Sequence, residues 1–161
     1  MHEIKKILVP TDFSAHADEA FRVAHTLARA TGAEVIVFHV ARPPAVASEG
    51  GQFLADPEEG EAVNLWERFQ GVQSAAPGVR VQHQVIVADR PGAGPVLEIL
   101  EKQGCDLIVM GTHGRSWLKQ RLFGSVTEEV VRRARCPVMV VKAPDPAPNP
   151  PAPEPAQATG A

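Results

Sequence analysis

The sequence contains only two cysteines, Cys105 and Cys136, and they form no Cys-x-x-Cys pair, so neither a disulfide framework nor a zinc site is indicated. Each lies beside an apolar run and reads as an inert core thiol. Positive charge is not in excess: 16 Lys and Arg against 19 Asp and Glu give a formal net charge of -3, so electrostatics do not favour nucleic acid or an anionic membrane as partner. No apolar run approaches the roughly 20 residues needed to cross a bilayer. The opening Met1-His2-Glu3-Ile4-Lys5-Lys6 leaves no room for the apolar segment of a signal peptide, which makes the cytoplasm the expected location. No Gly-x4-Gly-Lys-Ser/Thr occurs, which excludes the Walker-type mechanism with its lysine and magnesium-binding hydroxyl. Gly92-Ala93-Gly94 runs into Pro95 and lacks the third glycine of a dinucleotide fingerprint. A Ser-Gly-Gly loop and a His-Ile-Gly-His motif are absent too, which argues against adenylyl transfer. His2, His16, His25, His39 and His83 show no metal-ligand clustering, and His39 within an apolar strand reads as a satisfied core residue.

What the chain does have is a regular alternation of two periods. Its 161 residues, 44% of them hydrophobic, fit one domain with a substantial core. Residues 4–9 form an apolar strand. Residues 14–31 carry Ala20, Val23, Ala24, Leu27 and Ala28 on one helical face, and Gly32 closes that helix. Glu34 to Val40 is a second strand, and 58–74 a helix with Val63, Leu65, Trp66 and Phe69 as its apolar residues. Val79 to Ala88 alternates apolar and polar residues, as a third strand near a sheet edge does. A short helix from Val96 to Gln103 ends at Gly104, Asp106 to Met110 reads as a buried parallel strand, Ser125 opens an amphipathic helix, and Pro137 to Lys142 is a fifth strand. Such alternation implies an α/β fold, a doubly wound five-stranded parallel sheet of order 3-2-1-4-5. Beyond Lys142 the composition turns to proline and alanine, so a domain over 1–142 and a disordered Pro/Ala-rich tail over 143–161, with PxxP-type spacing, are expected.

In that order the chain reverses direction between strands one and four, and a ligand crevice opens outside their carboxyl ends. Pro10-Thr11-Asp12 and Gly111 to Gly114 meet there. Glycine lets a ligand approach the backbone without meeting a Cβ, and a helix amino terminus offers N–H groups to an anion. The spacing Gly111-x2-Gly114-x9-Gly124-Ser125 resembles the ATP-binding signature of the universal stress protein family. Ile7-Leu8-Val9-Pro10-Thr11-Asp12-Phe13-Ser14 resembles that family's first strand and acidic turn, Val35-Ile36-Val37-Phe38-His39-Val40 its second strand, and Cys136-Pro137-Val138-Met139-Val140-Val141 its last. The resemblance spans roughly residues 1–142. It implies an adenine-nucleotide alpha hydrolase-like fold, ATP as ligand with ADP or AMP as alternatives, an accompanying Mg2+ left open, and a nucleotide-dependent stress-response or signalling switch.

By the same resemblance, backbone groups near Gly111 and Gly114 and the N–H groups of Gly124, Ser125 and Val126 face the triphosphate. Asp12 recognises the nucleoside through ribose hydroxyls or the adenine amino group, and Val40 contacts adenine through its backbone. The candidate cofactor-binding set is Pro10, Thr11, Asp12, Val40, Met110, Gly111, Thr112, His113, Gly114, Arg115, Gly124, Ser125, Val126 and Thr127. Plainer readings stand beside it: turn glycines, an Asx turn or helix cap at Asp12, and a capping box joining Ser125 to Glu128. Arg115, Lys119 and Arg121 either neutralise phosphate or are simply solvated. His113 alone is weak evidence for catalysis, and no catalytic residue is assigned. A slow nucleotide hydrolase or transferase, with Asp12 and His113 in polar roles, and an interaction module that binds no nucleotide are the alternatives. Finally, Val138 to Val141 form an apolar run at an open sheet edge without guarding charges, proline or bulge. A homodimer through strand five, about 137–142, is expected there, by antiparallel pairing across a two-fold axis.

Overall fold

The computed structural model describes residues 3–41, 78–90, 92–112 and 123–143. The helix expected over 58–74, the tail from 144, and His113, Gly114, Arg115, Lys119 and Arg121 lie outside the described residues. Strands β1 (Lys6–Pro10), β2 (Glu34–Ala41), β3 (Val81–Val87), β4 (Leu107–Gly111) and β5 (Val138–Val141) pair in parallel in the order β3-β2-β1-β4-β5. This is the expected doubly wound order. Helices α1 (Ala15–Thr31), α2 (Ala93–Gln103) and α3 (Ser125–Arg133) accompany the strands.

Successive strand residues point to opposite faces, so the apolar runs feed two cores. Ile7, Val9, Val35, Val37 and Val109 pack against Ala20, Phe21, Ala24 and Ala28 of α1. Leu8, Ile36, Phe38, Ile108 and Met110 pack against Val96, Ile99 and Leu100 of α2 and Val130 of α3. Cys105 joins this second core, and burial pushes its thiol up to about 11; the half-buried Cys136 is shifted the same way.

Helix ends depart from the sequence reading where local polar chemistry competes. Helix α1 behaves as expected: Ser14 caps it by accepting the Ala17 N–H at 3.3 Å, and Gly32 ends it in the left-handed region at φ 75°. Helix α2 begins at Ala93, three residues before the expected start. Pro95 does not block it, because the first-turn N–H that proline lacks has no intrahelical acceptor. Helix α3 takes Gly124 as its N-cap with no side-chain cap, and the Glu128 N–H donates to the Gly124 carbonyl at 3.0 Å. The Ser125–Glu128 capping box therefore does not form; Ser125 lies inside the helix. Strand β3 is an edge strand starting at Val81, two residues late, and Val85 and Val87 are exposed while Ile86 packs inward. Among the described residues no helix is long and apolar enough to cross a membrane.

Candidate functional site

The sheet splits between β1 and β4, and a proline explains where. Strand β1 pairs with β2 along its whole length, from Lys6↔Glu34 to Pro10↔Phe38, but with β4 only at Ile7↔Leu107 and Leu8↔Ile108. The Glu34 N–H bonds the Lys5 carbonyl and the Thr11 N–H bonds the Phe38 carbonyl, which assigns odd-numbered positions of this segment to β2. Pro10, an even position, faces β4 with no N–H to give. The ladder stops and a crevice opens at the carboxyl ends of the two strands, the usual ligand position in such a sheet.

One wall is the turn after β1. The Thr11 N–H donates to Phe38 and its carbonyl accepts from His39 Nδ1, both at 2.8 Å. Thr11 Oγ1 accepts the Phe13 N–H at 3.0 Å, and Asp12 Oδ1 accepts the Ser14 N–H at 3.1 Å. The last contact is an Asx turn, so the plainer reading of Asp12 is realised. Phe13 adopts φ 61°, unusual for a residue with a side chain, and its ring lies 4.8 Å from the His39 ring. Val40 follows His39 at the end of β2, half-buried.

The opposite wall is the end of β4. A methyl group on Gly111 would stand 2.7 Å from His16 Cβ and 2.9 Å from the His16 carbonyl carbon and oxygen. Gly111 is glycine because α1 crosses there. Thr112 donates its N–H to the Val141 carbonyl at 2.9 Å and accepts the Gly124 N–H at 2.8 Å, which brings the start of α3 back onto β4. The buried Thr127 hydroxyl donates to the Gly111 carbonyl at 3.0 Å. Among the described residues, Thr112 Oγ1 is buried without a hydrogen-bond partner, beside a helix terminus that no side chain caps.

Of the sequence-predicted set, Pro10, Thr11 and Asp12 form one wall and Gly111, Thr112, Gly124 and Thr127 are tied together in the other. Ser125 and Val126 are exposed on the first turn of α3. Met110 is buried in the α2-side core, which leaves only its backbone for a ligand. His113, Gly114 and Arg115 lie outside the described residues. Sequence reasoning missed His16, which makes Gly111 obligatory, and the tie from His39 to Thr11. No short-range pattern links residues 28 or 95 positions apart; only the strand order brings them together.

Comparison with known proteins agrees with this architecture. The sequence profile of the Universal stress protein family matches residues 3–142. Universal stress protein MJ0531 of Methanocaldococcus jannaschii is 37% identical over 150 residues, which cover 87% of this chain and 83% of that protein. The solved structure of protein MJ0577 from the same organism superposes with a TM-score of 0.69 at 28% identity, covering 90% of this chain and 100% of the other. A universal stress protein crystallised in complex with cAMP gives a TM-score of 0.66 at 23% identity, covering 89% of this chain and 100% of the other.

Proposed function

This chain belongs to the universal stress protein family, and from that premise we propose that it binds an adenine nucleotide, ATP foremost, in the crevice between β1 and β4. The observation that carries the reading is the pairing of an uncapped α3 terminus with the buried Thr112 hydroxyl beside it, which has no hydrogen-bond partner among the described residues. A helix terminus without a side-chain cap presents N–H groups and a positive dipole end, and a buried hydroxyl without an acceptor is costly. Phosphate oxygens would satisfy both. Ser125 and Val126 supply the backbone donors, the Gly124 N–H expected beside them being held instead by the Thr112 carbonyl, while Asp12, a poor neighbour for phosphate, takes the ribose hydroxyls or adenine amino group and Val40 the adenine ring. The described crevice offers one carboxylate and no cluster of metal ligands, so Mg2+ would arrive on the phosphates. The relative crystallised with cAMP supports an adenine ligand on this fold.

In this reading the protein is a switch whose nucleotide occupancy and self-association carry a stress or signalling state. Thermal unfolding with increasing magnesium ATP tests it. At about 100 times the dissociation constant, ATP adds roughly 2.7 kcal/mol, and the melting temperature rises by several degrees. An unmoved transition at millimolar nucleotide would refute the assignment. A turnover assay on the same samples separates a switch from a hydrolase.

A further inference from the structure

We infer that His39 is a positioning residue for nucleoside recognition: it latches the acidic turn to the end of β2 and so fixes the spacing between the Asp12 and Val40 contacts. The inference rests on the nucleotide reading above. Its basis is that both backbone polar groups of Thr11 are held by consecutive residues of β2, the N–H by the Phe38 carbonyl and the carbonyl by His39 Nδ1, each at 2.8 Å. A carbonyl only accepts, so Nδ1 carries the proton and the neutral ring is the Nδ1–H tautomer. The next residue in each direction matters to the ligand. Asp12 follows Thr11, and Val40 follows His39, so the latch joins the two nucleoside contacts through one side chain.

The turn also needs holding. Phe13 at φ 61° is a conformation that costs free energy and persists only where neighbours enforce it. Two of those neighbours are Thr11 Oγ1, which accepts the Phe13 N–H, and the His39 ring 4.8 Å from the Phe13 ring. His39 thus grips the turn twice, by hydrogen bond at Thr11 and by packing at Phe13. The phosphate side of the crevice depends on Thr112, Gly124 and α3, and among the described residues none of these is hydrogen-bonded to His39.

Calorimetric titration of the full chain with magnesium ATP and, separately, with inorganic tripolyphosphate tests the latch. His39→Leu keeps apolar bulk and loses the donor; it should weaken ATP about tenfold and leave tripolyphosphate unchanged. His39→Asn places an amide N–H where Nδ1 stands and should restore ATP affinity, whereas His39→Gln, reaching one atom farther, should not. Unchanged ATP binding by His39→Leu overturns the inference, as does an equal loss for ATP and tripolyphosphate. If His39→Leu does not fold, equal ATP affinities for the Asn and Gln variants overturn it instead. Wild-type protein that ignores ATP removes the nucleotide reading itself, a result distinct from these. Nitrogen-15 NMR of the imidazole gives a ligand-free check: the Nδ1–H tautomer is expected, and an Nε2–H tautomer refutes the latch.

Discussion

At the scale of single residues, Gly111 is held to glycine by α1 rather than by a turn. Its φ is not in the left-handed region, and the obstacle is the His16 backbone 2.9 Å from where a Cβ would stand. Backbone does not yield as a flexible side chain does, so Gly111→Ala should destabilise the protein by about 1–3 kcal/mol through overpacking. Urea unfolding would report that as a lower midpoint at constant slope, and an unchanged midpoint would show that α1 has room to lift. The sequence made Gly111 conspicuous, as a glycine ending an apolar strand, but not the reason, because His16 lies 95 positions away. Asp12 illustrates the converse. Its Asx turn follows from a contact two residues on, which sequence reasoning reaches easily, whereas its use toward a ligand depends on what β4 brings opposite.

At the scale of elements, the inner strands β1, β2 and β4 were legible because burial on both faces writes them as unbroken apolar runs; these three and the half-buried edge strand β5 each fall within two residues of expectation. Helix starts were less so. A terminus is decided by one or two hydrogen bonds, and at α3 the Gly124 backbone competes successfully with the Ser125 hydroxyl. The crevice itself comes from an interrupted ladder. Pro10→Ala would supply an N–H facing β4, extend that pairing by a bond, and narrow the site. Stability should rise by about 1 kcal/mol while ATP affinity falls. Amide exchange at position 10 would show whether the new N–H is protected; an unprotected amide with unaltered ATP binding would contradict the role given to the proline.

At the scale of the whole molecule, β5 leaves an edge strand open among the described residues. Its bonds to β4 run through odd positions: the Ile108 N–H meets the Pro137 carbonyl and the Thr112 N–H meets the Val141 carbonyl. Period two therefore turns the N–H and C=O groups of Val138 and Val140 outward, available to the β5 of a second copy. Met139 is 38% exposed on the α1 face of this strand. If copies join here, Val140→Pro removes an outward donor without touching the β4 ladder, so it should give folded monomers. Sedimentation at micromolar concentration tests both halves: a dimer is expected for the unmodified chain and a monomer for the variant. A monomeric unmodified chain would end the proposal.

Helix α1 meets the sheet through Ala17, Ala20, Phe21, Ala24 and Ala28, with its backbone close against Gly111. Four of those five buried side chains are single methyl groups, which hold the helix axis close to the strands, and Phe21 is the large one. The other face is sprung on Val, Ile and Leu, and α3 starts at the crevice. A ligand seated in the crevice would touch α3 at its first turn, and the Thr112–Val141 bond ties that same end of β4 to the outer edge of the sheet at β5.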